Sequence, residues 1–157
     1  MLEANALECV RGGRRLFCNL SFSLGAGELI EVSGPNGSGK TSLLRMLCGL
    51  LSPSAGEILW QGANTRTLKE EYLKELAYLG HANGAKTELS ARENLRFTSG
   101  LAGGRPDEGK ITAALERIGL SESEAMPSGS LSQGQQRRLA LARLLIGEKV
   151  LWVLDEP

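Results

Sequence analysis

No apolar run in the 157-residue chain approaches the length of a membrane span, and the opening Met-Leu-Glu-Ala-Asn-Ala lacks the basic-then-apolar layout of a signal peptide. These absences predict a chain that stays in the cytosol and meets a membrane only through a partner. There is no Cys-x-x-Cys and no Cys-x-x-Cys-His. The three cysteines, Cys9, Cys18 and Cys48, are odd in number and irregularly spaced, each inside an apolar pattern, which predicts reduced core thiols rather than disulfides or a metal site. A single histidine, His81, provides no ligand pair. Lys plus Arg balance Asp plus Glu at 18 each with no basic run, so no nucleic-acid partner is expected. There is no internal repeat. The length suits one domain with a real core and is too short for two comfortable ones.

What is present centres on residues 34 to 41, Gly-Pro-Asn-Gly-Ser-Gly-Lys-Thr, which fit G-x-x-x-x-G-K-[ST] at every fixed position. Upstream, Glu28 to Ser33 reads as a short strand; downstream, Leu43, Leu44, Leu47, Cys48 and Leu50 have helical spacing within Thr41 to Leu50. Gly34, Gly37 and Gly39 permit backbone conformations closed to residues with a Cβ, so that successive N–H groups can turn inward around an anion. The helix start adds its own unpaired donors and positive dipole end. Lys40 would reach the β and γ phosphates, and Thr41 would offer its hydroxyl to Mg²⁺. The bland alternative is a glycine-rich turn before an ordinary helix.

Around this loop the chain alternates. Leu16, Cys18, Leu20, Phe22 and Leu24 have the period of a half-buried strand, with Leu2 to Val10 as its antiparallel neighbour and a turn at Gly25-Ala-Gly27. Glu57 to Trp60 and Leu76 to Leu79 are predicted as brief strands, and residues 66 to 75 as a charged helix. Ser90-Ala-Arg-Glu93 is a capping-box pattern that predicts a helix start; Ile111, Ala114, Leu115 and Ile118 line one face of another helix, closed by Gly119. Val150 to Leu154 is a continuous apolar run, expected of a strand buried on both faces. It ends in Asp155-Glu156-Pro157.

Two further clusters carry chemistry. A strand ending in paired carboxylates suits a nucleotide hydrolase, with Asp155 on Mg²⁺ and Glu156 directed at the attacking water; taken alone, the same residues also read as an acidic turn. Leu131-Ser-Gln-Gly-Gln135 precedes a helical stretch, and Ser132-x-x-Gln135 is itself a capping box. A helix N-terminus with a serine hydroxyl is also a second phosphate-binding surface, so both readings can hold together.

Gly34 to Thr41, Leu131 to Gln135 with its arginine-rich helix, and Leu154-Asp-Glu-Pro157 together resemble the ATP-binding subunit of ABC transporters, in order and spacing and over essentially the whole chain. Within that family the chain looks most like the ATP-binding subunit of the cytochrome c maturation (haem exporter) system. The carriers are Gly34-Pro-Asn-Gly-Ser-Gly-Lys-Thr-Ser-Leu-Leu-Arg45, Leu79-Gly-His81 followed by Leu89 to Asn94, and Gln135-Gln-Arg-Arg138.

The resemblance implies an α/β fold: a P-loop NTPase core of mostly parallel strands, an N-terminal antiparallel β part and a helical subdomain. It implies one nucleotide-binding domain over 1–157, with the β part and phosphate-loop core in 1–80, the helical subdomain in 81–147 and the Asp-Glu strand in 148–157. ATP and Mg²⁺ are the implied cofactors. Gly34, Pro35, Asn36, Gly37, Ser38, Gly39, Lys40, Thr41 and Ser42 would hold the phosphates of one ATP, with Glu156 and Lys40 catalytic and Thr41, Asp155 and His81 at the metal. Ser132, Gly134 and Gln135 would serve the ATP of a second copy. Such subunits resemble one another in closing head to tail as a dimer that pulls on a membrane-spanning subunit, which would place this chain on the inner face of the cell membrane.

The chain departs from the family at several positions. Arg11 stands where an adenine-stacking aromatic is usual, leaving stacking to a guanidinium or to another group such as Phe17. His81 stands where a metal-binding glutamine is usual, with a partly exposed loop histidine as the lesser alternative. Proteins it resembles continue past Leu-Asp-Glu-Pro, so a truncated chain is expected, with two interior strand edges unpaired and with nucleotide binding without turnover as the alternative function. Other ATP- and GTP-handling classes fit less well: there is no coiled coil of the DNA-repair type between the first and last motifs, and no Asn-Lys-x-Asp to read guanine.

Overall fold

Ala6 and Asn19 set the geometry of the N-terminal sheet. β1 (Leu2–Arg11) and β2 (Arg14–Leu24) pair antiparallel through a two-residue turn at Gly12 and Gly13, whose φ values of 55° and 75° match the twist of a tight hairpin. Between Ala4↔Phe22 and Leu7↔Leu20, β1 carries one residue more than β2, and Ala6 has φ 48° there. This bulge reverses the parity of β1: Leu2 and Ala4 are buried before it, Leu7 and Cys9 after it. Between Leu7↔Leu20 and Cys9↔Phe17 the extra residue lies on β2, where Asn19 has φ 51°. The simple alternation predicted for β2 therefore breaks: Phe17 is turned partly inward, and Cys18, expected in the core, is exposed. Cys9 and Cys48 are buried as expected, and none of the three cysteines is in a disulfide.

The computed structural model describes residues 1–80, 84–101 and 105–155, and the chain forms two units, Met1–Leu76 and Ala77–Pro157. In the first, β3 (Ala55–Trp60) and β4 (Ala63–Asn64) complete an antiparallel sheet of order β2-β1-β3-β4. Gly56, with φ 82°, lies opposite the β1 bulge, where a Cβ would come within 2.4 Å of the Asn5 carbonyl oxygen. Helix α1 (Lys40–Leu47) buries Leu43, Met46 and Leu47. It stops short of the predicted Leu50, because Gly49 (φ 69°) turns the chain and the Leu50 N–H folds back to the Arg45 carbonyl at 2.9 Å. Tyr72, buried, donates its hydroxyl to the Leu47 carbonyl at 2.6 Å and lies 5.9 Å from the Trp60 ring. Burial pushes its phenol well above the usual range, with Cys48 adding to the effect.

Two expectations for this unit are corrected. The helix predicted over 66–75 is two short helices, α2 (Thr65–Leu68), capped by the Asn64 side chain, and α3 (Glu70–Glu75). Lys69 separates them with φ 46° and ψ −110°, a conformation that no helix continues through. The strand predicted at Glu28 to Ser33 pairs with neither sheet among the described residues, and Leu29 is 88% exposed. Apolar sequence alone does not make a strand; ladder hydrogen bonds to a neighbour do.

The second unit carries a parallel two-stranded sheet of β5 (Leu76–Leu79) and β6 (Leu151–Leu154). β6 was expected to be buried on both faces, but only Leu151 and Val153 are buried, while Trp152 is 47% exposed. One face of this narrow sheet is covered, so burial along the strand alternates. The helices α4 (Ala91–Leu101), α5 (Glu108–Arg117) and α6 (Gln133–Ile146) pack around Leu95, Ile111, Leu115 and Leu139, each 0% exposed. Each such side chain contributes roughly 1.5–3 kcal/mol.

The predicted caps form. Ser90 N–H donates to Glu93 Oε2 at 2.8 Å, and Glu93 N–H donates to Ser90 Oγ at 3.2 Å. Gly119 (φ 65°) closes α5, its N–H donating to the Glu116 carbonyl at 3.0 Å. Arg92 donates to Glu108 at 2.9 Å and to Glu124 at 2.8 Å, while Arg96 donates to Glu108 at 2.6 and 3.0 Å. Among the described residues no helix is long and apolar enough to cross a membrane.

Candidate functional site

The phosphate loop turns on three glycines with backbone that L side chains rarely adopt: Gly34 at φ 150°, Gly37 at 80° and Gly39 at 103°. Gly39 is also the residue that begins α1, and a Cβ there would lie 3.0 Å from the Phe17 ring and 3.1 Å from Leu16 Cβ. The loop thus lies directly against β2, and only a residue without a side chain fits the contact. Ser38 N–H donates to the Pro35 carbonyl at 3.2 Å, and Leu43 N–H makes the first helical bond to Gly39 at 2.8 Å. The leading N–H groups of α1 precede its ladder and are presented at the loop.

Lys40 folds its ammonium over this turn, donating to the carbonyls of Gly34 at 2.7 Å and Pro35 at 3.1 Å. Gly34, Pro35, Asn36 and Gly37 are exposed, while Ser38, Gly39, Lys40 and Ser42 are half-buried. Concave glycine backbone, a helix start and one ammonium form a donor set that fits the phosphates of a nucleotide. A separate cleft of about 230 Å³ sits at the other end of α1, lined by Met46, Pro53, Arg66 and Tyr72, and holds none of the phosphate-loop residues.

In the second unit, Ser132 caps α6: Gln135 N–H donates to its Oγ at 3.3 Å, and Ser132 N–H donates to Gln135 Oε1 at 2.9 Å. Gln136 holds the loop beneath, donating to the carbonyls of Ser128 at 3.1 Å and Leu131 at 3.2 Å. A Cβ at Gly134 would meet nothing within 4 Å, so open space lies over the first turn of the helix. Asp155 closes β6 with its N–H donating to the Leu79 carbonyl at 2.8 Å, and it is 6% exposed. Each unit offers a hard oxygen of the kind Mg²⁺ takes, the Thr41 hydroxyl in the first and the Asp155 carboxylate in the second.

His81 and Glu156, both expected to act at the metal or the attacking water, lie outside the described residues. Arg11 is exposed at the end of β1, paired with Arg14 across the hairpin. Asn94 went unrecognised in the sequence. Buried, it accepts from Lys86 N–H at 2.8 Å, and the two hydrogens of its Nδ2 are shared among the carbonyls of Lys86 (3.0 Å), Leu89 (3.1 Å) and Ser90 (3.0 Å) and Ser128 Oγ (3.2 Å). It fastens residues 86–90 to the loop that leads into the Ser132 cap. Its only sequence signal is a polar residue on the apolar face of α4.

Comparison with known proteins accords with these features. Residues 17–157 match the ABC transporter family model. The chain is 56% identical over its whole length to the cytochrome c biogenesis ATP-binding export protein CcmA of Nitrosomonas europaea, covering 74% of that protein, and 48% identical to that of Vibrio cholerae, covering 76%. Among solved structures, an ABC transporter ATP-binding protein from Pyrococcus furiosus superposes with a TM-score of 0.89 at 27% identity, over 99% of this chain and 75% of that one. The cbiO1 protein of Clostridium perfringens, part of the ABC transporter complex cbiONQ, gives 0.82 at 25% identity, over 99% and 65%. The family match and the identity to these relatives over the whole chain establish that the chain belongs to the ABC transporter family as an ATP-binding subunit.

Proposed function

We propose that the chain binds and hydrolyses ATP to drive an ABC exporter of cytochrome c biogenesis, with haem export as the transport step. The observation that carries the nucleotide part is the left-handed Gly39 at the head of α1 with the Lys40 ammonium folded over the loop. The export part rests on relatives about half identical over the whole chain that bear the name of cytochrome c biogenesis ATP-binding export proteins.

In this reading Gly34 to Gly39 wrap the phosphates with main-chain donors, and Lys40 exchanges its contacts with the Gly34 and Pro35 carbonyls for phosphate oxygens. Thr41, Asp155 and His81 hold Mg²⁺, which when bound neutralises charge that develops on the phosphates. Glu156 takes a proton from the attacking water. Arg11 or Phe17 faces the base. Ser132, Gly134 and Gln135 present the start of α6 to ATP held by a second copy, so the working form is a two-fold dimer with two equivalent sites. Dimer closure is transmitted to a membrane-spanning subunit, and the protein works at the inner face of the cell membrane through that partner.

The test is oligomeric state under ATP in a full-length form. Glu156→Gln, which keeps the side-chain shape but loses the base, is expected to trap an ATP-dependent dimer; adding Lys40→Ala is expected to abolish it and to weaken ATP binding by about thirtyfold or more, roughly 2 kcal/mol. A monomer in both backgrounds would overturn the reading.

A further inference from the structure

Arg137 lies on α6 just after the Ser132–Gln135 turn, and its guanidinium leaves the helix for two main-chain oxygens. Nη1 donates to the Gly80 carbonyl at 3.3 Å, and Nη2 donates to the Asp155 carbonyl at 3.3 Å. Gly80 directly follows β5, and Asp155 directly follows β6. The two strand ends are also joined to each other, because Asp155 N–H donates to the Leu79 carbonyl. One planar fork therefore spans the ends of both strands.

The consequence is local and mechanical. The peptide plane before Asp155 is fixed by Leu79, and the plane after it is fixed by Arg137. With both planes held, the Cα–Cβ bond of Asp155 has a set direction, and its buried carboxylate is left only side-chain torsions to adjust. A lysine at position 137 would keep the charge but not the fork, since an ammonium on a flexible stem does not hold two fixed acceptors in one plane.

We infer that Arg137 is a positioning residue for the Asp155 carboxylate, tying its main chain to the helix that begins at Ser132. The inference rests on the reading of Asp155 as a Mg²⁺ ligand. In this role Arg137 acts on the ligand's backbone, as groups behind a metal ligand do.

The test uses the full chain and measures binding rather than turnover. Dissociation constants for ATP are measured by equilibrium dialysis with the metal chelated and with Mg²⁺ present, and Mn²⁺ affinity in the nucleotide complex by electron paramagnetic resonance. Arg137→Met is expected to leave metal-free ATP affinity unchanged, to weaken Mn²⁺ about tenfold and to speed hydrogen exchange at the Asp155 amide. Arg137→Lys is expected to fall between it and the parent. Unchanged Mn²⁺ affinity, equal losses with and without metal, or unaltered exchange at Asp155 would each overturn the inference. A parent chain that binds no ATP under either condition would overturn the functional reading itself, and this inference with it.

Discussion

Gly56 and Gly62 allow a steric contact to be weighed apart from backbone strain. Their φ values are 82° and 81°, so alanine pays nearly the same conformational cost at each, about 1–2 kcal/mol. Their surroundings differ completely. At Gly62 a Cβ meets nothing within 4 Å, whereas at Gly56 it would lie 2.4 Å from Asn5 O, 2.5 Å from Ala6 O and 2.6 Å from Ala6 C. These are backbone atoms of the β1 bulge and cannot swing aside, so relief requires β1 and β3 to separate, adding roughly 1–3 kcal/mol for overpacking. Gly62→Ala is therefore expected to cost about 1–2 kcal/mol and Gly56→Ala about 2–5 kcal/mol. Urea titration followed by circular dichroism reads both, through a shifted midpoint at constant slope. Equal midpoints for the two variants would refute the claim that the β1 bulge is pressed against Gly56.

Two further outcomes bear on the helical unit and the proposed dimer. Gly134→Ala is expected to raise stability by about 0.5–1 kcal/mol, since it removes a glycine from a helix and its Cβ meets open space; in the Glu156→Gln background it should nevertheless weaken ATP-dependent dimerisation, and a stable variant that still dimerises would argue against Gly134 facing a second copy. Arg96 and then Arg92 hold the Glu108 carboxyl below its ordinary value of 4.5. A depressed carboxylate stabilises the fold above its unfolded value and ceases to do so as pH falls through the folded one. Acid titration of stability should therefore show a loss below about pH 4.5 that flattens in Arg92→Met, Arg96→Met protein, and an identical profile would count against the ion cluster.

The parts of the fold that could be read in advance are those decided by local chemistry. Ser90 with Glu93 and Ser132 with Gln135 are recognisable because each side chain satisfies a main-chain group three residues away, whatever the tertiary context. The phosphate loop was legible for the same reason, since Gly34, Gly37 and Gly39 are needed where the backbone turns left-handed. The bulges were not: Ala6 carries no turn signal, a lone Asn19 tolerates positive φ without fixing where a bulge falls, and only the pairing across β1 and β2 forces one residue out of step. That is why Cys18 was misplaced. Lys69 gives no sequence warning that it breaks a helix. Asn94 and Arg137 act over distances of up to 34 and 57 residues along the chain, so their acceptors became visible only once the loops and strand ends were in place. The run from Glu28 to Ser33 has the composition of a strand without the partner that would make it one.

The two tryptophans of the chain are divided evenly, one to each unit. Trp60 sits tilted against Tyr72 in the first, while Trp152 on β6 is about half exposed in the second. Replacing either with phenylalanine would leave a single indole emitter, native to the protein, whose intensity and wavelength follow one unit alone. Melting curves from the two single-emitter forms would then show whether the phosphate-loop unit and the helical unit lose their structure together or one before the other.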